Sequence, residues 1–182
     1  MLFPGGRTPD PLPFLLRWAG RRDDVRAVIQ TSSRSDPNAH TDLFSDYDIV
    51  LAVDDIRPYF DDRAWLYEFG PFLVAYRDPI LPLYGYGKFA WITQYEDGLK
   101  IDFTLFPTGL VRRLSALPEL PDFLDVGYTV LLDKDGLTAG LRPPTYRAHI
   151  PDPPTEEAYL TLVEVFFHEA TYAAKHLWRS HL

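Results

Sequence analysis

Two acidic residues open an apolar run, Asp46-Tyr47-Asp48-Ile49-Val50-Leu51-Ala52-Val53, and this is the stretch best suited to chemistry. Residues two apart on a strand share a face, so the Asp46 and Asp48 carboxylates stand side by side. Val50 and Ala52 continue that face, while Tyr47, Ile49, Leu51 and Val53 take the other. Adjacent carboxylates repel, and burial without a cation is unfavourable to both; at a solvated strand end they need none. A third acid, Asp102, interrupts the alternating run Leu99 to Phe106 and shares its face with Lys100, Thr104 and Phe106. An Asp in a central strand is costly unless it has a partner, whereas on an edge strand it faces water. A small polar turn, Thr31-Ser32-Ser33-Arg34, follows the apolar run 25–30. Hard oxygen ligands beside such a turn suit Mg²⁺ carrying a nucleoside triphosphate.

The elements that must position these residues are legible in outline. Residues 11–22 predict a short amphipathic helix with Phe14, Leu15 and Trp18 on one side and Asp10 as its cap. Residues 25–30 predict a strand, 35–45 a loop, and 46–53 the strand of the paired acids. Residues 54–69 predict one helix, on the recurrence of Ile56, Phe60, Trp65 and Phe69, ended by Gly70. A strand over 72–76 and a Pro-, Gly- and Tyr-rich loop over 78–88 follow. Strands over 89–96 and 99–106 are joined by Asp97-Gly98, a strong hairpin signal. Residues 108–114 predict a short helix, 126–132 a strand, and Asp133-Lys134-Asp135-Gly136 a turn that lacks the distal Glu of a calcium loop. Thr155 caps a final helix with Glu156 and Glu157 in its first turn. Its apolar stripe, Tyr159, Val163, Phe166, Ala170, Ala173 and Leu177, is supplemented by Leu160, Phe167 and Trp178, more than one contact surface requires. Glu164, His168, Thr171, Lys175 and Arg179 line its polar side.

Taken together these residues resemble the aminoglycoside 6-adenylyltransferases (streptomycin adenylyltransferases) of the nucleotidyltransferase superfamily. The resemblance is carried in family order by Ser33-Arg34, Asp36-Pro37-Asn38-Ala39, Asp46-Tyr47-Asp48-Ile49-Val50, Arg63-Ala64-Trp65-Leu66 with Phe69-Gly70, Ile101-Asp102-Phe103-Thr104-Leu105, Leu131-Leu132-Asp133-Lys134-Asp135, and Ala174-Lys175 with Leu177-Trp178-Arg179. It implies an α+β nucleotidyltransferase fold, a mixed β-sheet flanked by helices and followed by a long C-terminal helix. It implies transfer of AMP from ATP to a hydroxyl of an aminoglycoside such as streptomycin, an antibiotic-resistance activity, with Mg²⁺ held by Asp46, Asp48 and Asp102. Asp102 would complete the metal site or, as the resemblance favours, accept the proton of the attacking hydroxyl. Ser32, Ser33 and Arg34 would grip phosphates, and Lys175 and Arg179 would reach the triphosphate. The family turn has Gly where this chain has Ser32. Family members also continue beyond the Leu-Trp-Arg helix, so the resemblance divides the chain into a catalytic domain over 1–140, a Pro-rich connector over 141–154, and over 155–182 the start of a C-terminal helical domain. The alternatives are a catalytically weak or inactive nucleotide-binding or interaction module, and a small nucleotidyltransferase that adenylylates a protein.

Composition sets bounds on these readings. A chain of 182 residues with 46% apolar content supports one domain with a sizeable core. There are no cysteines, so disulfides and thiolate metal sites are excluded. Five histidines, at 40, 149, 168, 176 and 181, show no zinc spacing. The N-terminus lacks the pattern of a signal peptide and no run approaches a membrane span, which predicts a cytoplasmic protein with no membrane partner. A formal charge of −8 disfavours nucleic acid and suits a polycationic small molecule. The apolar excess of the last helix leaves homodimerisation through it open.

Overall fold

The computed structural model describes residues 10–42, 44–148, 150 and 153–180. The N-terminal residues 1–9 of the signal-peptide reading, and His149 and His181, lie outside them. Two compact units are present, Met1–His149 and Ile150–Leu182, and each is taken by itself.

The first unit is built on a seven-stranded mixed sheet. Its strands are β1 (Val25–Thr31), β2 (Tyr47–Val53), β3 (Phe72–Arg77), β4 (Leu81–Leu83), β5 (Tyr86–Tyr95), β6 (Lys100–Pro107) and β7 (Tyr128–Asp133). The order across the sheet is β3-β5-β6-β2-β1-β7, with β4 paired to β5. β2 and β6 run parallel, and the other described pairings are antiparallel. Side-chain alternation sends Ile49, Leu51, Val53, Ile101, Phe103 and Leu105 into one buried cluster and Val50, Ala52 and Phe106 into another on the opposite face.

Helices cover both faces. Helix α1 (Leu12–Gly20) buries Leu15 and Trp18 in the first cluster, and Asp10 accepts from the Leu12 N–H at 3.1 Å, as expected of its cap. Helix α3 (Thr108–Ser115) buries Leu110, Val111 and Leu114 in the second, beside the short α4 (Asp122–Asp125). Trp65 stands at the centre of the first cluster, its ring 5.0 Å from Phe103, 5.3 Å from Tyr59 and 5.7 Å from Trp18.

Two expectations need correction. Residues 54–69 are not one helix: α2 (Arg57–Asp61) stops where Asp62 turns extended, at φ −126° and ψ 131°. The Asp62 carboxylate then accepts from the Ala64 N–H at 2.8 Å and starts a separate 3-10 turn, Ala64–Phe69. The stretch 78–88 is not a plain loop either. Leu81–Leu83 pairs with Tyr86–Lys88 through a tight turn in which Tyr84 and Gly85 both take positive φ, 49° and 84°. The Asp97-Gly98 hairpin forms as expected, with Gly98 at φ 91° and the Asp97 side chain accepting from the Leu99 N–H.

One contact holds the Ser-rich turn against the sheet. The Gly127 carbonyl accepts from the Ser32 N–H at 3.1 Å. Gly127 has φ +129°, and a Cβ there would stand 2.8 Å from the Ser35 carbonyl oxygen. Asp125 meanwhile accepts from the Thr145 and Ala148 N–H groups, tying the start of the Pro-rich stretch to the first unit.

In the second unit, α5 (Glu156–Trp178) begins at Thr155, whose hydroxyl accepts from the Ala158 N–H at 3.2 Å. None of its residues is buried, and Phe166, Phe167 and Trp178 are 66%, 66% and 91% exposed. No helix of the described residues is long and apolar enough to cross a membrane.

Replacing Gly127 with Ala combines disallowed backbone with a clash against backbone. It should destabilise the protein by about 2 kcal/mol or more, read as a lowered urea midpoint with unchanged slope.

Candidate active site

The parallel register of β2 and β6 sets Asp48 directly opposite Asp102. Asp46 immediately precedes β2, and a single ammonium shows that it shares their site. Lys100 Nζ donates to Asp46 Oδ2 and stands 3.6 Å from Asp102 Oδ2. The three acids named from sequence are therefore brought together. β6 lies between β5 and β2, so Asp102 sits in an interior strand, as expected. Sequence reasoning misses Lys100, although its spacing of two from Asp102 puts it on the same face of the strand.

Electrostatics follow from burial. Asp102 is pushed up from 3.8 to about 6, first by burial, with the Lys100 ammonium opposing and the Asp48 and Asp46 carboxylates adding. Burial, then the Asp46 charge, also raises Asp48; the Ser32 hydroxyl, as a hydrogen-bond donor, and Lys100 pull the other way. The hydrogen bond to Asp46 holds Lys100 above the ordinary lysine value. Asp102 Oδ1 is buried and has no hydrogen-bond partner among the described residues.

As the side chains stand, no group of three His, Cys, Asp or Glu among the described residues is arranged to hold a metal ion. The donor set nevertheless fits a divalent cation. It offers hard oxygens from adjacent strands, one of them orphaned, and carboxyls whose mutual repulsion a cation would relieve. Lys100 fills the cationic role in this conformation.

The polar turn is a 3-10 turn, Ser32–Ser35. Ser35 Oγ donates to the Gln30 carbonyl at 3.0 Å, and Thr31, which precedes the turn, pairs with Asp48 across β1 and β2. Ser32 itself has φ 62°, left-handed backbone that favours glycine. The difference from the Gly expected at this position thus falls where glycine's freedom matters.

Arg34 is placed at the edge of the site and holds two backbone carbonyls. Its Nε donates to the Asp46 carbonyl at 2.8 Å and its Nη2 to the Ser45 carbonyl at 2.7 Å, while its guanidinium carbon lies 3.8 Å from the centre of the Tyr47 ring. It latches the Ser32–Ser35 turn to the residues leading into β2, and these two bonds use only two of its five N–H donors. A cleft of about 270 Å³ opens beside this latch, lined by Gln30, Ser33, Arg34, Asp36 and Tyr47 among others, and does not include the three acids. Lys175 and Arg179 belong to the second unit: Lys175 is in the last turn of α5, its Nζ 5.7 Å from the Tyr172 ring, and Arg179 caps that helix.

Ser32→Gly should raise stability by about 1 kcal/mol through relief of the left-handed strain. Ser32→Ala, which keeps that strain, should not, and urea unfolding compares the two. Stability should also carry the mark of Asp102. Its folded carboxyl holds the proton up to about 6, whereas an unfolded chain releases it near 3.8. Between those values the folded state binds more protons, so stability falls as pH rises. With chelator present, the advantage of Asp102→Asn over the wild type should therefore grow from pH 3.8 to about 6 and then level off.

The streptomycin adenylyltransferase family model matches residues 10–182. Aminoglycoside 6-adenylyltransferase of Staphylococcus aureus is 28% identical over 172 residues, covering 92% of this chain and 58% of that protein. The Campylobacter jejuni enzyme of the same name is 27% identical over 170 residues, covering 92% and 57%. A crystal structure of an aminoglycoside 6-adenyltransferase from Bacillus subtilis aligns with 92% of this chain and 55% of its own, at 25% identity and a TM-score of 0.47. The chain spans a little over half the length of the curated relatives it matches. With a family match over nearly its whole length, this chain belongs to the streptomycin adenylyltransferase family.

Proposed function

We propose that the protein transfers AMP from ATP to a hydroxyl of an aminoglycoside, streptomycin first among them, in the cytoplasm. The observation that carries this reading is the convergence of Asp46, Asp48 and Asp102 beside the Ser32–Ser35 turn. Asp46, Asp48 and Asp102 would hold Mg²⁺. When bound, Mg²⁺ neutralises charge on the phosphate oxygens and aligns the attacking and leaving groups. Ser33 and the backbone amides of the turn hold the β- and γ-phosphates. The acceptor oxygen bonds to the α-phosphorus as the bond to the bridging oxygen breaks, and pyrophosphate leaves. Asp102, made more basic by burial, accepts the hydroxyl proton in its ionised form. The net charge of −8 favours approach of a polycationic acceptor and disfavours nucleic acid.

In the same reading, α5 pairs with α5 of a second copy. An antiparallel two-fold pair sets the acidic first turn, Glu156 and Glu157, against the basic last turn, Lys175 and His176, and covers Phe166 from both sides. Light scattering across a concentration series should show a dimer.

The function is tested by pyrophosphate release with ATP over a panel of aminoglycosides. Release should require both magnesium and acceptor, be strongest with streptomycin, and fall by about 10³-fold or more in Asp48→Asn while the fold is retained. Undiminished transfer in that variant would remove the metal assignment.

A further inference from the structure

Lys100 and Asp102 are two apart on an interior strand, so their side chains rise from one face of the sheet. The Lys100 ammonium donates to Asp46 Oδ2 and stands 3.6 Å from Asp102 Oδ2. Its side chain is 33% exposed, and those of Asp46 and Asp102 are 31% and 20% exposed. A built-in cation thus stands among the oxygens that the reading above gives to Mg²⁺. Both cations cannot use them at once. Mg²⁺ requires its ligands at about 2.0–2.1 Å in near-octahedral array, and an ammonium donating to the same oxygen brings a like charge within a few ångströms. The lysine stem is flexible and partly solvated, so the ammonium can swing out with no movement of β6.

We propose that Lys100 is a resident counter-ion. It holds Asp46 and Asp102 together in the metal-free protein, and it must withdraw before a divalent cation can bind. A free cation is consequently held weakly, and the cation enters with a triphosphate, whose anionic oxygens receive the displaced ammonium. Lys100 is in this sense a positioning residue that couples metal entry to nucleotide entry. A lysine that only neutralised charge, without standing in the cation's place, would also raise cation affinity when removed, but would leave the gain from the nucleotide unchanged. The inference rests on the metal site proposed above.

Mn²⁺ binding by the full chain, followed by electron paramagnetic resonance with and without a non-hydrolysable ATP analogue, separates these cases. The wild type should bind Mn²⁺ weakly alone and roughly tenfold more tightly with the analogue. Lys100→Met should bind Mn²⁺ alone roughly tenfold more tightly than the wild type, with the gain from the analogue reduced, and Lys100→Arg should behave as the wild type. Equal or weaker Mn²⁺ binding by a folded Lys100→Met overturns the proposal. Should that variant fail to fold, reductive methylation of the wild type decides: Mn²⁺ alone should speed labelling of Lys100, and an unchanged rate overturns the idea. Asp48→Asn is the control for the site itself. If it binds Mn²⁺ as well as the wild type, the metal site is wrong and the counter-ion goes with it. If it loses Mn²⁺ while Lys100→Met gains nothing, the counter-ion alone is wrong.

Discussion

The parallel, in-register pairing of β2 with β6 is the constraint on which the rest depends. It sets Asp48 opposite Asp102, two carboxylates from segments far apart in sequence. A parallel pair cannot be closed by a tight turn. The chain from α2 through β5 is the crossover that returns β6 in the right direction, with the Asp97-Gly98 hairpin making the last reversal. Register is enforced from the opposite face, where Ile49 lies against Phe103 and Leu51 against Leu105 in the buried cluster. A slip of one residue would exchange the two faces and drive the Asp102 carboxylate into the cluster around Trp65. The apolar face therefore fixes the position of the acids.

That placement is electrostatically unfavourable by itself. Burial raises both Asp48 and Asp102, and each also feels another carboxylate. Structural ion pairs ordinarily match one cation to one acid, but here one ammonium serves two acids while a buried Asp102 oxygen stays unpaired. In the proposed reading a divalent cation and its phosphates would relieve this residual repulsion, which Lys100 offsets only in part.

Much of this could be read from the sequence because it depends on local period and turn chemistry. Alternation named the faces of β2 and β6, Asp97-Gly98 named the hairpin, and Thr155 named the start of α5. The rest was hidden for separate reasons. Residues 54–69 have helical apolar spacing because α2 and the following 3-10 turn both face one cluster, and the extended Asp62 between them leaves that pattern intact. β4 was hidden because Tyr84, an aromatic residue, occupies a positive-φ turn position normally signalled by Asn or Gly. The engagement of Arg34 with the Ser45 and Asp46 carbonyls could not be seen, since a backbone acceptor leaves no trace in residue type.

The two halves of the site differ in stiffness, and the difference has a physical source. The turn is over-determined: the Gly127 carbonyl holds Ser32, Gln30 holds Ser35, and Arg34 is fixed by two carbonyls and the Tyr47 ring. Only such a surround keeps a serine at φ 62°. The acids, by contrast, are positioned at their backbones by β2 and β6 but restrained at their tips by a flexible lysine and a serine hydroxyl. In the proposed reading, a rigid anion-binding turn beside adjustable carboxylates would let the phosphates set where the cation must sit, and the carboxylates would then close on it. The reverse arrangement, rigid acids beside a loose turn, would trap a bare cation before any nucleotide arrived. A chain that places a strained residue in its turn and a lysine ammonium among its acids fits the first arrangement.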